Sequence, residues 1–121
     1  MGMPCSLPQK AGYPQSALNE IHGSLHDPSN PIVPIEGMLR TDLCEWLEHW
    51  NRRSDLCLAV GTSLSGFTVD DVVVQASEKQ RNGKGLGLVL INLQQTPYDD
   101  HCALRIFARC DDGMETLSLC G

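Results

Sequence analysis

Three short stretches carry residues whose types and spacing could do chemistry. Gly61-Thr62-Ser63 stands between an apolar run, Leu56 to Val60, and a second patterned stretch. At a strand-to-helix turn, backbone N–H groups are unpaired and point outward, so an anion can dock there. Gly61 would let the backbone approach a ligand closely, and the Thr62 and Ser63 hydroxyls would add donors. An ordinary turn with a capping hydroxyl fits the same residues, because the spacing is neither G-x-G-x-x-G nor a P-loop. Asn92-Leu93-Gln94 closes the next apolar run. Ligands of open α/β sheets bind beyond the carboxyl ends of the strands, where an Asn can hydrogen-bond a ribose hydroxyl. A turn-forming Asn is the plainer reading. His22, in Ile21-His22-Gly23-Ser24, titrates near neutrality and would permit acid–base work. No carboxylate partner is obvious, and a hydrogen-bonded turn histidine is the simpler interpretation.

The elements that must position these residues follow from periodicity. Residues 1–34 are rich in Pro, Gly, Ser and Asn, which rules out long regular elements. Ala17 to Ile21 is one short piece that could be a strand. From Met38 the pattern changes: Leu39, Leu43, Trp46, Leu47 and Trp50 recur at helical steps. Thr41 or Asp42 could cap this helix, with Glu45 completing a box from Asp42, and Trp46 and Trp50 read as core. Leu56-Cys57-Leu58-Ala59-Val60 is apolar on both faces, as in a strand buried in a parallel sheet. Val69, Val72, Val73 and Ala76 then form a second helical stripe, capped by Thr68 or Asp70 and ended by Gly83. Leu88 to Ile91 is a second apolar strand and Ala103 to Phe107 a third. Asp111 or Asp112 caps a last helix through Met114 and Leu117. Strand, Gly-containing turn, helix, strand is a right-handed βαβ unit. The expectation is an α/β fold, a partial Rossmann-like parallel sheet with helices covering both faces. An irregular segment, 1–37, precedes a Rossmann-like half-domain, 38–121.

Composition excludes several classes. The chain has 121 residues, about one small domain. Its net charge of −6 opposes direct nucleic-acid binding. No apolar run reaches the ~20 residues of a membrane span, and no signal-peptide core is visible, so an intracellular location, cytoplasmic or nuclear, is expected. Of the six cysteines, Cys5, Cys44, Cys57, Cys102, Cys110 and Cys120, Cys57 sits inside an apolar run and Cys44 on a probable helix. Reduced, buried thiols are expected. No C-x-x-C pair exists, so no zinc site of the usual spacing is expected.

Read together, the segments resemble the sirtuins, NAD-dependent protein deacylases, from about Gln9 onward. Asn19-Glu20-Ile21-His22-Gly23-Ser24 is similar to the family's E-L-H-G-S segment. Ile32 to Gly37 looks like a worn V-x-F-G-E segment. Asp55 to Leu64 matches D-L-x-L-x-x-G-T-S-L. Ile91-Asn92-Leu93-Gln94 with Thr96 and Pro97, Leu104-Arg105-Ile106 and Cys110-Asp111-Asp112 resemble the end of the nuclear sirtuin branch. The resemblance implies that Gly61, Thr62 and Ser63 line the NAD phosphates and ribose. It implies that Asn92, Leu93 and Gln94 hold the adenosine ribose and that Cys110 borders the adenine. Val33, Ile35, Glu36 and Gly37 would flank an extended acyl-lysine peptide by strand addition. The family chemistry is transfer of a lysine acyl group to ADP-ribose.

The departures are as informative. The family's first βα unit, with its G-A-G-I-S loop, would lie before residue 1. Cys5 to Gly12 is similar to D-G-L-H-x-K-A-G, and Pro8 then holds the place of the catalytic His. Proline has no titratable side chain and cannot act as a base. The zinc module is absent as well. Three readings stay open: a C-terminal sirtuin part that needs an N-terminal half to act on an acyl-lysine protein or peptide; a non-catalytic ADP-ribose-binding or interaction module; and a small enzyme in which His22 or His26 replaces the base.

Overall fold

In the computed structural model, residues 7–34, 36–66 and 70–119 are described. Cys5, Ser6, Ile35, Thr68, Val69 and Cys120 lie outside them. The chain forms two compact units, Met1–Arg52 and Arg53–Gly121.

The first unit is built on loops and one long helix. A single-turn helix α1, Leu7–Lys10, and a 3₁₀ turn, Gln15–Ala17, are the regular structure among the described residues before residue 41, as its prolines lead one to expect. Ala17 to Ile21 is not a strand: the 3₁₀ turn takes its start and turns follow. The loop is held by buried Asn30, whose backbone carbonyl accepts from Ser24 N–H at 2.8 Å and whose Nδ2 donates to Glu20 O at 2.9 Å. Helix α2, Thr41–Arg53, starts later than the periodicity from Met38 suggests. The expected Asp42–Glu45 box does not govern its start: Asp42 is taken by Arg40 at 2.6 Å, and Arg40 O accepts the Cys44 N–H. Trp50 is not core, being 58% exposed with His49 edge-on to its ring.

The second unit is a parallel three-stranded sheet with helices between. Strands β1, Leu56–Val60, β2, Gly87–Ile91, and β3, Leu104–Ile106, lie in the order β1-β2-β3. Leu56 pairs with Gly87 and Val89 with Leu104. Helix α3, Asp70–Arg81, crosses between β1 and β2. The Asp70 carboxylate accepts the Gly66 N–H at 2.5 Å, and the chain turns after α3 at Gly83, φ +66°. Helix α4, Cys110–Leu119, follows β3. Its Gly113 meets Ile91 so closely that a Cβ would stand 2.6 Å from Ile91 Cγ2.

Side chains alternate across a strand, and here the two faces differ. Ala59, Leu88 and Leu90 pack with Leu64 and Val73, joined by Cys57, Tyr98 and Cys102. The other face carries Leu56, 45% exposed, and Leu58, 40% exposed. β1 is therefore buried on one face, not covered on both faces as its apolar sequence suggests, and among the described residues it pairs with β2 alone. The free thiols are also less buried than expected: Cys44, Cys57 and Cys102 are half-buried and Cys110 is exposed. Burial pushes the Cys57 and Cys102 thiols up, Cys102 further aided by the Asp99 charge. Among the described residues no helix is long and apolar enough to cross a membrane.

Candidate functional site

Two of the sequence-derived groups come together at the carboxyl ends of β1 and β2. The loop after β1 begins with Gly61, whose φ of +64° is a left-handed conformation that favours glycine. The Cys110 Sγ lies 2.8 Å from where a Cβ would project, so a side chain here would be strained twice. Gly61 N–H is not free, as expected of the turn, but donates to Ile91 O at 2.9 Å. The reason is topological: Gly61 continues the ladder of β1 beside β2. The available donors shift one residue on, to Thr62 and Ser63, whose N–H groups have no partner among the described residues. Residues 62–66 are not helical, so these donors belong to the loop that follows β1.

The loop is folded on itself. Thr62 Oγ1 accepts the Leu64 N–H at 3.3 Å, and the Ser63 and Ser65 hydroxyls are 2.7 Å apart. Leu64 is buried with φ +51°, unusual for a residue with a Cβ. Its burial in the core holds that conformation.

The loop after β2 is tied to the first. Asn92 Nδ2 donates to Thr62 O at 2.8 Å, while Asn92 N–H continues the ladder to Ile106 O at 3.2 Å. Asn92 Oδ1 has no hydrogen-bond partner among the described residues. Leu93 and Gln94 are exposed beside it. Cys110, the first residue of α4, meets the same site through its contact at Gly61. The structure thus groups Gly61, Thr62, Ser63, Asn92 and Cys110, with Leu93 and Gln94 on the same loop as Asn92.

Arg105 is a component that the sequence reading missed. It sits in β3, and its side chain is 11% exposed. Its Nη1 donates to Asn92 O at 3.0 Å and Ile106 O at 2.7 Å, and its Nη2 to Gln94 O at 2.6 Å. Its Nε lies 3.0 Å from Asp99 Oδ1, and the guanidinium stacks on Phe107 at 3.8 Å. The Thr96 hydroxyl bond at 2.6 Å, with Arg105, holds the Asp99 carboxyl below the usual carboxylate range. The signal available in sequence was a guanidinium inside an otherwise apolar strand, six residues after an Asp.

In the first unit, His22 is half-buried, and burial lowers its pKa, favouring the neutral ring. Its carbonyl accepts the Val33 N–H at 3.0 Å, and no carboxylate bonds its ring among the described residues. His26 is exposed, its N–H directed to Ser24 Oγ at 3.3 Å. The described residues of the 33–37 stretch make backbone bonds within their own loop. Val33 N–H is committed to His22, and Gly37 N–H folds back to Pro34 O at 2.8 Å. Glu36 is exposed in this turn, and Ile35 lies outside the described residues.

No family model and no curated protein matches the chain. Solved sirtuin structures do match its fold. A structure from work on the basis of sirtuin substrate affinity aligns with TM-score 0.62 and 22% identity, covering 76% of this chain and 36% of that one. A mutant Sir2 homologue in complex with ADP-ribose aligns with TM-score 0.63 and 22% identity, covering 73% of this chain and 33% of that one. Sir2Tm bound to a propionylated peptide aligns with TM-score 0.62 and 22% identity, covering 80% of this chain and 41% of that one. The fold is thus the Rossmann-like α/β arrangement seen in sirtuins, and the chain spans about a third to two-fifths of these structures' length.

Proposed function

We propose that the chain is a sirtuin-type unit that holds the ADP-ribose portion of NAD at the carboxyl ends of β1 and β2. The observation that carries this reading is the 2.8 Å bond from Asn92 Nδ2 to Thr62 O. It joins the two polar loops where open α/β sheets take ligands. The N–H groups of Thr62 and Ser63 are suited to phosphate oxygens, and the Asn92 Oδ1 to a ribose hydroxyl. Leu93 and Gln94 would flank the ribose, with Cys110 bordering the adenine. The ADP-ribose bound to a mutant Sir2 homologue of like fold supports this reading.

The family reaction is transfer of a lysine acyl group to ADP-ribose, on an intracellular acyl-lysine protein or peptide. In this chain the base position corresponds to Pro8, which has no proton acceptor. The chain therefore binds nucleotide but does not turn over acyl-lysine until further polypeptide completes the site. His22 is a poor replacement for the base, because among the described residues no carboxylate orients its ring and burial favours its neutral form.

Calorimetry with ADP-ribose and NAD tests the reading. Saturable binding is expected, weakened about tenfold by Asn92→Ala, the scale of one lost hydrogen bond. No binding by a folded, monodisperse chain rejects the nucleotide site and leaves a protein-interaction module.

A further inference from the structure

We infer that Arg105 is the positioning residue of the nucleotide site, acting through the peptide planes of the 92–95 loop; the inference rests on the proposal that this loop holds ribose. Its forked guanidinium takes two loop carbonyls at once, Asn92 O at 3.0 Å and Gln94 O at 2.6 Å. A trans peptide is planar, with N–H opposite C=O. Drawing those carbonyls onto Arg105 turns the N–H groups of Leu93 and Gln95 away from it. Neither N–H has a partner among the described residues. The loop therefore presents two oriented backbone donors beside Asn92, which is itself locked to Thr62.

The guanidinium is in turn fixed on three sides. Asp99 stands at its Nε, Ile106 O accepts from its Nη1, and Phe107 stacks on its plane. Asp99 is held by the Thr96 N–H at 3.1 Å and the Thr96 hydroxyl at 2.6 Å. Both ends of the 92–99 segment are thus anchored on one side chain. Lysine cannot reproduce this, because an ammonium is a point charge without a planar fork.

The test compares wild type, Arg105→Lys and Phe107→Ala for ADP-ribose affinity, thermal midpoint and backbone amide order parameters. Lysine keeps a charge for Asp99 but cannot hold both loop carbonyls. Arg105→Lys is expected to weaken ADP-ribose about tenfold. It should also drop the order parameters of Leu93 and Gln95 from about 0.85 to below about 0.6, with β2 unchanged. Phe107 is exposed, so Phe107→Ala folds and gives a smaller change of the same kind, about threefold in affinity. A purely structural role would lower the thermal midpoint while leaving affinity and the loop order parameters of the folded protein alone, and that result overturns the inference. Wild-type binding with both variants unaffected overturns it too, while sparing the nucleotide site. No wild-type binding overturns both.

Discussion

β1 and β2 are both five-residue parallel strands of mostly apolar residues, yet they meet different surroundings. In β2, Leu88, Leu90 and Ile91 are fully buried. In β1 no side chain is fully buried, and only Ala59, 8% exposed, is buried at all. β2 has a strand on each side, whereas β1 pairs with β2 alone among the described residues. α3 covers the face that carries Ala59, and the opposite face leaves a row of Leu58, Val89 and Leu104 in register, with both leucines exposed. An apolar run thus records the cover a strand is suited to, while its place in the sheet decides how much it receives.

Mutation of matched leucines gives the largest expected effect. Leu90→Ala should destabilise the unit by about 3–4 kcal/mol, since it empties a closed core site. Leu58→Ala should cost less than about 1 kcal/mol, because that side chain is already wet. Urea midpoints measure both. Equal losses would break the comparison by showing that the β1 face is covered in solution.

Gly61→Ala sharpens the comparison at the junction of the two strands. The left-handed φ and the Cys110 contact together should cost about 1–2 kcal/mol. Adding Cys110→Ala should recover the contact part and leave the backbone part.

The smallest effect is an acid limb that belongs to the β2–β3 side. The Asp99 carboxyl is held low by the Thr96 hydroxyl and by Arg105. A depressed carboxyl stabilises the fold above its ordinary value of 3.8 and loses that contribution as the pH falls below it. Thermal midpoints should therefore drop in acid by a few degrees for wild type and less for Asp99→Asn.

The sequence made the order of elements legible, because helical spacing at Val72, Val73 and Ala76 and the run Leu88 to Ile91 are local signals. It also pointed to Gly61-Thr62-Ser63 and Asn92 through their places after apolar runs. What it did not show depends on distant partners. The pairing of β1 with β2 alone among the described residues and the engagement of Gly61 N–H with Ile91 are both set by residues far along the chain. Arg105 was passed over for the same reason: its value lies in carbonyls 11 and 13 residues away.

The strand order has a consequence in time. β2–β3 pairing bridges about half the chain length that β1–β2 pairing does, and each doubling of a closed loop costs about 0.6 kcal/mol. β3 is therefore the cheaper partner to recruit, and β1, first of the three to leave the ribosome, joins across the longer span. At synthesis rates of roughly 5–20 residues per second, Leu56 and Leu58 wait on the order of seconds for β2 to emerge. During that interval a nascent-chain chaperone has a defined apolar stretch to hold.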